Sequence, residues 1–223
     1  MHSKKILFIL ILLDLISISA VRSEPNKTID LPSVKTDGDY SLEKILKQRR
    51  SVREFDDLPL SLQDISQLLW AAQGITHSGG YRTTPSAGAL YPLEILLVAA
   101  KIQGLNTGTY RYRSHGHKLQ QISGKDFRNQ LGDAAFGQSW VEEGAAILII
   151  SAVYQRTTQK YGKRGIRYVH MEAGHAAQNV FLQATSLGID TVVVGAFDDD
   201  SVKRILGIGP GEHPLYLMPL GKK

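Results

Sequence analysis

The stretch Gln48-Arg49-Arg50-Ser51-Val52-Arg53-Glu54-Phe55 places three arginines and a serine at the end of a predicted helix. Guanidinium groups bind phosphate oxygens bidentately, and a hydroxyl adds a neutral donor, so the cluster suits a phosphate. Taken alone, it is more typical of a solvated basic helix end, which complements the helix dipole. The rest of the chain has to decide between these two interpretations.

The composition indicates an ordinary globular protein. With 223 residues, 43% of them hydrophobic and 21% charged, the chain can form one domain, or at most two, with a sizeable core. The formal charge of +5 is mild and the basic residues are scattered among acids, so no nucleic-acid partner is expected. Because cysteine is absent, disulfides, thiol nucleophiles and thiolate metal sites are excluded.

The N-terminus has the order of a secretory signal. Lys4 and Lys5 precede the apolar run Ile6–Leu13, and small residues follow near Ala20 and Ser23. We therefore predict a signal peptide over residues 1–23, export to the periplasm or the medium, and no stable membrane anchor after cleavage. Residues 24–38 are predicted to be a linker or extended arm, and residues 39–223 the folded domain.

Apolar periodicity predicts helices and strands around one sheet. Ser41 caps a predicted helix over Leu42–Arg50, while Ser61 and Asp64 resemble a capping box that opens a helix ending at Gly74. Continuous apolar runs predict buried strands, and alternation predicts a β-hairpin. The remaining predictions are strands over Glu94–Ala100, Ala145–Val153, Thr191–Val194 and Pro214–Leu220, a hairpin over Thr109–Arg113 and Lys118–Ile122, helices over Lys125–Leu131, Ser139–Glu143 and Tyr168–Leu187, a basic loop over Tyr161–Arg167, and a short helix from Asp198 to Leu206.

Two motifs are weak on inspection. His170 and His175 are five residues apart, so on a helix they point about 140° away from each other, and no metal site is predicted. His175 is expected to be a buried polar group instead. The glycines of Gly207–Gly211 follow a helix rather than a strand, which fails the context of a dinucleotide fingerprint.

The loop Arg82–Glu94 is the second candidate site. Its small residues, Ser86 to Ala89, would let the backbone come close to a flat ligand, and the strand that follows fixes its position. Long loops in compact domains are often functional.

Taken together, these segments resemble the nitroreductase family, most closely its SagB/ThcOx-type dehydrogenase branch, over about residues 39–221. The resemblance is carried by Arg-Arg-Ser-x-Arg-x-Phe at 49–55, by Pro-Ser-Ala-Gly-Ala-Leu-Tyr-Pro-Leu-Glu at 85–94 and by Gly-Ala-Phe-Asp at 195–198. The segments 160–168 and 172–179 also look like that branch. The resemblance implies an α+β nitroreductase-like fold, with a central mixed, mostly antiparallel sheet surrounded by helices. It also implies FMN as cofactor and a homodimer with the flavin at the subunit interface.

The resemblance also implies roles for individual residues. Arg49, Ser51 and Arg53 would hold the FMN phosphate, with Arg50 adjacent, and the closing Lys222-Lys223 would either share that contact or leave it unmade. Lys160 and Tyr161 resemble a pair implicated in azoline oxidation, although they could equally belong to a structural basic loop. The expected flavin contacts from the partner subunit are Pro85, Ser86, Ala87 and Gly88, and those over the isoalloxazine are Gly195 and Ala196.

The function expected from this resemblance is two-electron transfer by an FMN-dependent oxidoreductase on a small-molecule substrate. NAD(P)H could serve as a transient reductant, since family members bind it over the flavin without a fingerprint of its own. The alternative is a protein of the same fold that binds or sequesters flavin without turnover.

Overall fold

The computed structural model describes residues 27–223, so the predicted signal peptide lies outside the described residues. Helices and strands alternate irregularly along the chain, and a 3₁₀ turn covers Ala87–Ala89. In chain order the elements are β1 (Thr28–Asp30), α1 (Leu42–Gln48), β2 (Leu60–Ser61), α2 (Leu62–Gln73), β3 (Leu93–Ala99), β4 (Ile102–Gln103), β5 (Gly108–Arg113), β6 (Lys118–Ser123), α3 (Arg128–Ala134), α4 (Trp140–Glu143), β7 (Ala146–Ala152), α5 (Gln155–Tyr161), α6 (Arg164–Ser186), β8 (Asp190–Thr191), α7 (Asp199–Leu206) and β9 (His213–Gly221).

Seven of the strands form one sheet in the order β1-β6-β5-β3-β7-β9-β8, and every pairing in it is antiparallel. The parallel pairing lies outside it, in the small sheet of β2 and β4. At the centre of the large sheet, Leu97 of β3 pairs with Leu148 of β7, which in turn pairs with Met218 of β9. The predicted α+β fold, a mostly antiparallel sheet surrounded by helices, is confirmed.

The sheet is buried on both faces because β3 and β7 are apolar at nearly every position, with Glu94 and Ser151 as the exceptions. Leu97 and Leu148 pack with α2 and α6, whereas Leu96 and Ile147 pack with α3 and α7. Alternate residues of a strand point to opposite faces, so each continuous apolar run supplies both cores. The sequence pattern of these strands therefore predicted their double burial.

The segment predicted as a basic loop over Tyr161–Arg167 is largely helical. α5 ends at Tyr161, and α6 begins at Arg164 rather than at Tyr168. Gly165 explains the difference, because a Cβ there would lie 3.0 Å from the backbone of Thr158. The glycine thus permits close packing of α6 on α5 rather than marking a loop.

The residues predicted as a linker or arm also take part in the fold. Strand β1 pairs with β6 at the edge of the sheet. Farther along, the backbone of Lys35 exchanges two hydrogen bonds, both 2.9 Å, with the Gln67 side chain on α2.

Within residues 27–223, no helix has the length and apolar character needed to span a bilayer. In the same part of the chain, no group of three or more histidine or carboxylate side chains is arranged to hold a metal ion.

Candidate functional site

The arginine segment Arg49–Phe55 is held in place through its backbone. It leaves α1 at Arg49, whose N–H donates to the carbonyl of Ile45 at 2.9 Å. The Val52 N–H donates to the carbonyl of Thr191 in β8 at 3.0 Å, and the Asp56 N–H to that of Lys222 at 2.8 Å. The segment is therefore fixed against the edge of the sheet that β8 and β9 form.

The arginines of this segment differ in what their guanidinium groups contact. Arg50 donates from Nη1 to the carbonyls of Lys47 and Arg49, at 2.9 and 2.8 Å, and so caps the end of α1. Arg49 lies over the ring of Phe181, 5.1 Å from its centroid, and Arg53 lies 5.8 Å from the centroid of Trp140. Among the described residues, neither Arg49 nor Arg53 has a carboxylate partner.

Gly195 and Ala196 lie in an exposed turn that follows the bridge between Val194 and Leu217. The Gln138 side chain donates from Nε2 to the carbonyl of Ala196 at 3.0 Å. Gln138 is two residues before Trp140, the aromatic neighbour of Arg53, so this turn and the arginine segment share one surface. Gln138 and Trp140 carry no sequence signal of a functional role, and the sequence analysis missed both.

The closing lysines have structural contacts of their own. The Lys223 amino group forms an exposed ion pair with Glu54, and the hydrogen bond to Glu54 raises the pKa of Lys223. The Lys222 backbone pairs with Asp56, as described above. Both lysines therefore fasten the far end of the arginine segment to β9.

The loop that carries Pro85–Gly88 is anchored at its base and curled at its tip. The Thr84 hydroxyl donates to the Ala72 carbonyl at 2.7 Å, and Asn179 on α6 donates to Thr84 Oγ1 at 3.2 Å. Gly88, Ala89 and Tyr91 have φ values of +64°, +54° and +45°. Ala89 and Tyr91 are thus left-handed without being glycine, a strained state that tends to occur at functional loops.

Lys160 and Tyr161 meet this loop at Gly88. A Cβ on Gly88 would lie 2.8 Å from the Tyr161 hydroxyl and 3.1 Å from the Lys160 amino group. The Tyr161 ring packs edge-on against Tyr168, with centroids 5.2 Å apart. The structure therefore brings the predicted pair together with the predicted flavin loop, and the positive φ of Gly88 favours glycine there.

Glu172 on α6 is a buried carboxyl beside the same loop. It is 3% exposed, and its Oε1 has no hydrogen-bond partner in the described part of the chain. Burial raises the pKa of Glu172 to about 7, while the Ser86 hydroxyl, the Arg82 charge and the Gln73 amide act in the opposite direction. Sequence reasoning gave Glu172 no role, although a carboxylate between apolar residues of a buried helix face is a detectable signal.

Within one chain, the predicted site residues form two separate groups. Glu172, on the loop side, and Phe181, under Arg49, are nine residues apart on α6. That spacing corresponds to about 13 Å along the axis and to opposite sides of the helix. The loop group, which comprises Gly88, Lys160 and Tyr161, and the arginine group, which comprises Arg49 and Arg53, therefore lie on different sides of α6.

One face of α6 lies open to solvent. Met171 is 51% exposed, and Gly174, His175 and Gln178 are exposed with it. The prediction of a buried His175 is therefore wrong, because His175 is on the helix face opposite the core-facing Ala173, Ala176 and Val180. Small and apolar residues on an exposed helix face are typical of a surface that packs against another chain.

Comparison with known proteins identifies relatives over most of the chain. The model of the Nitroreductase family matches residues 46–222. MJ1384 of Methanocaldococcus jannaschii, which carries a provisional nitroreductase name, is 47% identical over 195 residues, covering 87% of this chain and 96% of that protein. The microcin B17-processing protein McbC of Escherichia coli is 26% identical over 159 residues, covering 69% of this chain and 58% of McbC. A crystal structure from Ralstonia eutropha, also provisionally named a nitroreductase, superimposes with a TM-score of 0.77 at 30% identity, over 87% of this chain and 89% of that one.

Proposed function

The chain belongs to the nitroreductase family, and from this premise we propose that it is an FMN-dependent oxidoreductase acting on a small organic molecule. A bound flavin would supply two-electron hydride chemistry, and the protein would supply binding, orientation and proton transfer.

The observation that carries the proposal is the pair of guanidinium groups of Arg49 and Arg53. Both are backed by aromatic rings and have no carboxylate partner among residues 27–223, while Arg50 is engaged in capping α1. A phosphate dianion at this place would receive charge-assisted bonds from groups that the fold already holds in position. The Ser51 hydroxyl, exposed between them, would add a neutral donor.

The other end of a flat cofactor would meet small residues and polar side chains. Gly195 and Ala196 leave their backbone accessible, as does Gly88. The amine of Lys160 and the phenol of Tyr161, both at Gly88, could hold or accept a proton from a substrate as its hydride leaves. This arrangement supports the catalytic role of the pair over a purely structural one.

The separation of the two groups across α6 supports a homodimer. If two copies pack through the exposed face around Met171 and Gln178, the Gly88 loop of one copy can approach the arginine segment of the other. We therefore propose that each flavin site is completed by the partner subunit.

The cofactor assignment is tested by the visible spectrum of the purified chain and by flavin titration. Arg49→Ala combined with Arg53→Ala is expected to remove FMN, because each lost charge-assisted contact costs about 1.5–3 kcal/mol. Arg204→Ala on α7 is the matched control and should leave the FMN affinity unchanged. Equal FMN affinity in the double variant and the control would refute the phosphate assignment.

Turnover is separated from flavin sequestration by stopped-flow reduction. An enzyme should bleach its flavin absorbance on mixing with NAD(P)H or another reductant and recover it with an acceptor. A yellow protein whose flavin neither bleaches nor recovers would instead support the flavin-sequestering alternative.

A further inference from the structure

A polar cavity of about 230 Å³ lies between the β5–β6 hairpin and the base of the Arg82–Tyr91 loop. It is distinct from the arginine segment Arg49–Phe55, none of whose residues lines it. Its charged and polar lining residues include Arg82, Glu94, Arg113, Ser114, His115 and Arg156.

The positive charges around this cavity exceed the negative ones. Glu94 is shared by two arginines, since its Oε1 accepts from Arg156 at 2.5 Å and its Oε2 from Arg111 at 3.0 Å. Glu212, behind the cavity, is bound to Arg111 at 3.0 and 2.9 Å. These two carboxylates therefore balance Arg111 and Arg156 only.

The remaining two guanidinium groups have neutral partners. Arg82 donates from Nη1 to Gln73 Oε1 at 2.8 Å, and Arg113 donates to Gln120 Oε1 at 2.8 and 2.6 Å. Burial lowers the pKa of Arg82, and the nearby carboxyl groups of Glu94 and Glu172 offset this loss of water only in part. An anion in the cavity would compensate both charges.

A buried donor at the cavity points to the same kind of ligand. The Nε of Arg82 is buried and has no hydrogen-bond partner among the described residues. Buried donors of this kind are rare in native proteins and require an acceptor. The amide of Gln73, which is 1% exposed, lies instead beside the buried Glu172 carboxyl.

We propose that this cavity binds the carboxylate or phosphate group of a small ligand. Three arginines offer the forked donors that recognise planar or tetrahedral oxyanions, and His115 and Ser114 add further polar groups. The volume admits a small acid or the acidic end of a larger molecule, but it is below the range of whole drug-sized ligands.

The site is adjacent to the proposed catalytic pair. Arg156 and Lys160 are four residues apart on α5, so they share one face of that helix. Arg156 also donates to the carbonyl of Tyr91 at 3.1 Å, at the end of the loop that carries Gly88. An anionic group bound here would therefore hold the rest of its molecule beside Lys160.

The proposal is tested by isothermal titration of the purified full chain with malonate and, separately, with inorganic phosphate, at constant ionic strength set with chloride. Arg113→Gln is the informative variant, because Arg113 is exposed at the cavity and, within residues 27–223, its guanidinium group bonds only to Gln120. Arg204→Gln carries the same change of charge on α7 and serves as its control. The Arg49→Ala/Arg53→Ala variant keeps the cavity but lacks the proposed flavin phosphate site.

We expect saturable binding of at least one of the two anions, weakened tenfold or more by Arg113→Gln and unchanged by Arg204→Gln. Malonate binding alone would assign a carboxylate site, and phosphate binding alone a phosphate site. Binding should persist in the Arg49→Ala/Arg53→Ala variant, whether or not that variant still takes up FMN. The proposal is overturned if neither anion binds saturably, if Arg113→Gln binds as wild type does, or if binding is lost only with Arg49 and Arg53.

Discussion

At the scale of single residues, Glu172 is a group whose surroundings strongly alter its chemistry. It is buried beside Ser86, and its pKa is raised to about 7 by the loss of water. A carboxyl that titrates near neutral pH can give up or accept a proton in the working range of most enzymes. The sequence could supply only its position on a helix face, because its burial depends on the Arg82–Tyr91 loop folding over it.

This shift makes the stability of the protein depend on pH. The native carboxyl stays protonated up to about pH 7, whereas an unfolded glutamate ionises near 4.5, so the native state binds more protons in between. Stability contributed by Glu172 is therefore complete at acidic pH and is lost as the pH rises through about 7. Glu172→Gln should remove this loss, so that the variant gains about 3 kcal/mol relative to wild type between pH 4.5 and 8.

Urea unfolding at a series of pH values measures this difference. The exposed Glu143→Gln on α4 is the matched control for removing one carboxylate. A difference between Glu172→Gln and wild type that stays flat with pH would contradict the assignment.

At the scale of elements, the long strands β3, β5, β6, β7 and β9 and most helices could be predicted because their apolar runs and caps are local signals. The capping box of Ser61 and Asp64 is present, and α7 begins after Asp198 and ends at Leu206, before Gly207, as expected. The short strands β1, β2 and β4 and the helix α5 were not predicted, and the strand predicted over Thr191–Val194 is wrong beyond Thr191, where β8 ends. The start of α6 was missed because Gly165 reads as a loop signal, while its actual role is contact with α5. No local pattern revealed that the backbone of β8 and the residues at the end of β9 hold the arginine segment in place. These contacts form only once both strands have joined the sheet.

Gly221, at the end of β9, also helps to hold the arginine segment in place, because it packs directly against Phe55. A Cβ there would lie 2.6 Å from a ring carbon of Phe55, so Gly221→Ala must displace Phe55 and loosen Arg49–Phe55. Overpacking of this kind costs about 1–3 kcal/mol. We expect a lower melting temperature together with weaker FMN binding, measured by thermal unfolding and flavin titration.

Gly211→Ala is the control for this substitution, since a Cβ at Gly211 meets nothing within 4 Å. If both alanine variants melt alike and bind FMN alike, Phe55 does not position the arginine segment.

At the scale of the whole molecule, the candidate site is divided. The sequence resemblance predicted flavin contacts in both groups, and the structure places Gly88 with Lys160 and Tyr161 but leaves Arg49 and Arg53 across α6. No property of the single sequence could reveal this division, because it depends on which sides of α6 face the loop and α1.

The proposed dimer predicts a strong effect from one exposed residue. In a monomer, Met171→Asp at a 51% exposed position should change stability by less than about 0.5 kcal/mol. In a dimer that buries this face, the carboxylate would be desolvated and the copies would separate. We expect a monomer with lost flavin, measured by light scattering after gel filtration and by flavin content.

Gln130→Asp, on exposed α3 at the opposite face of the sheet, controls for adding a carboxylate to a helix surface. A dimer that survives Met171→Asp unchanged would exclude this face from the interface.

The position of β9 has a consequence for how fast the protein can acquire its structure. β9 is the last strand in chain order, yet it lies between β7 and β8, so the sheet cannot close until its residues have left the ribosome. The central row Leu97, Leu148 and Met218 joins positions far apart along the chain, which is the hallmark of high contact order and slow folding. Until that row forms, β7 has no partner on one edge, and unpaired strand edges of this kind are prone to aggregation.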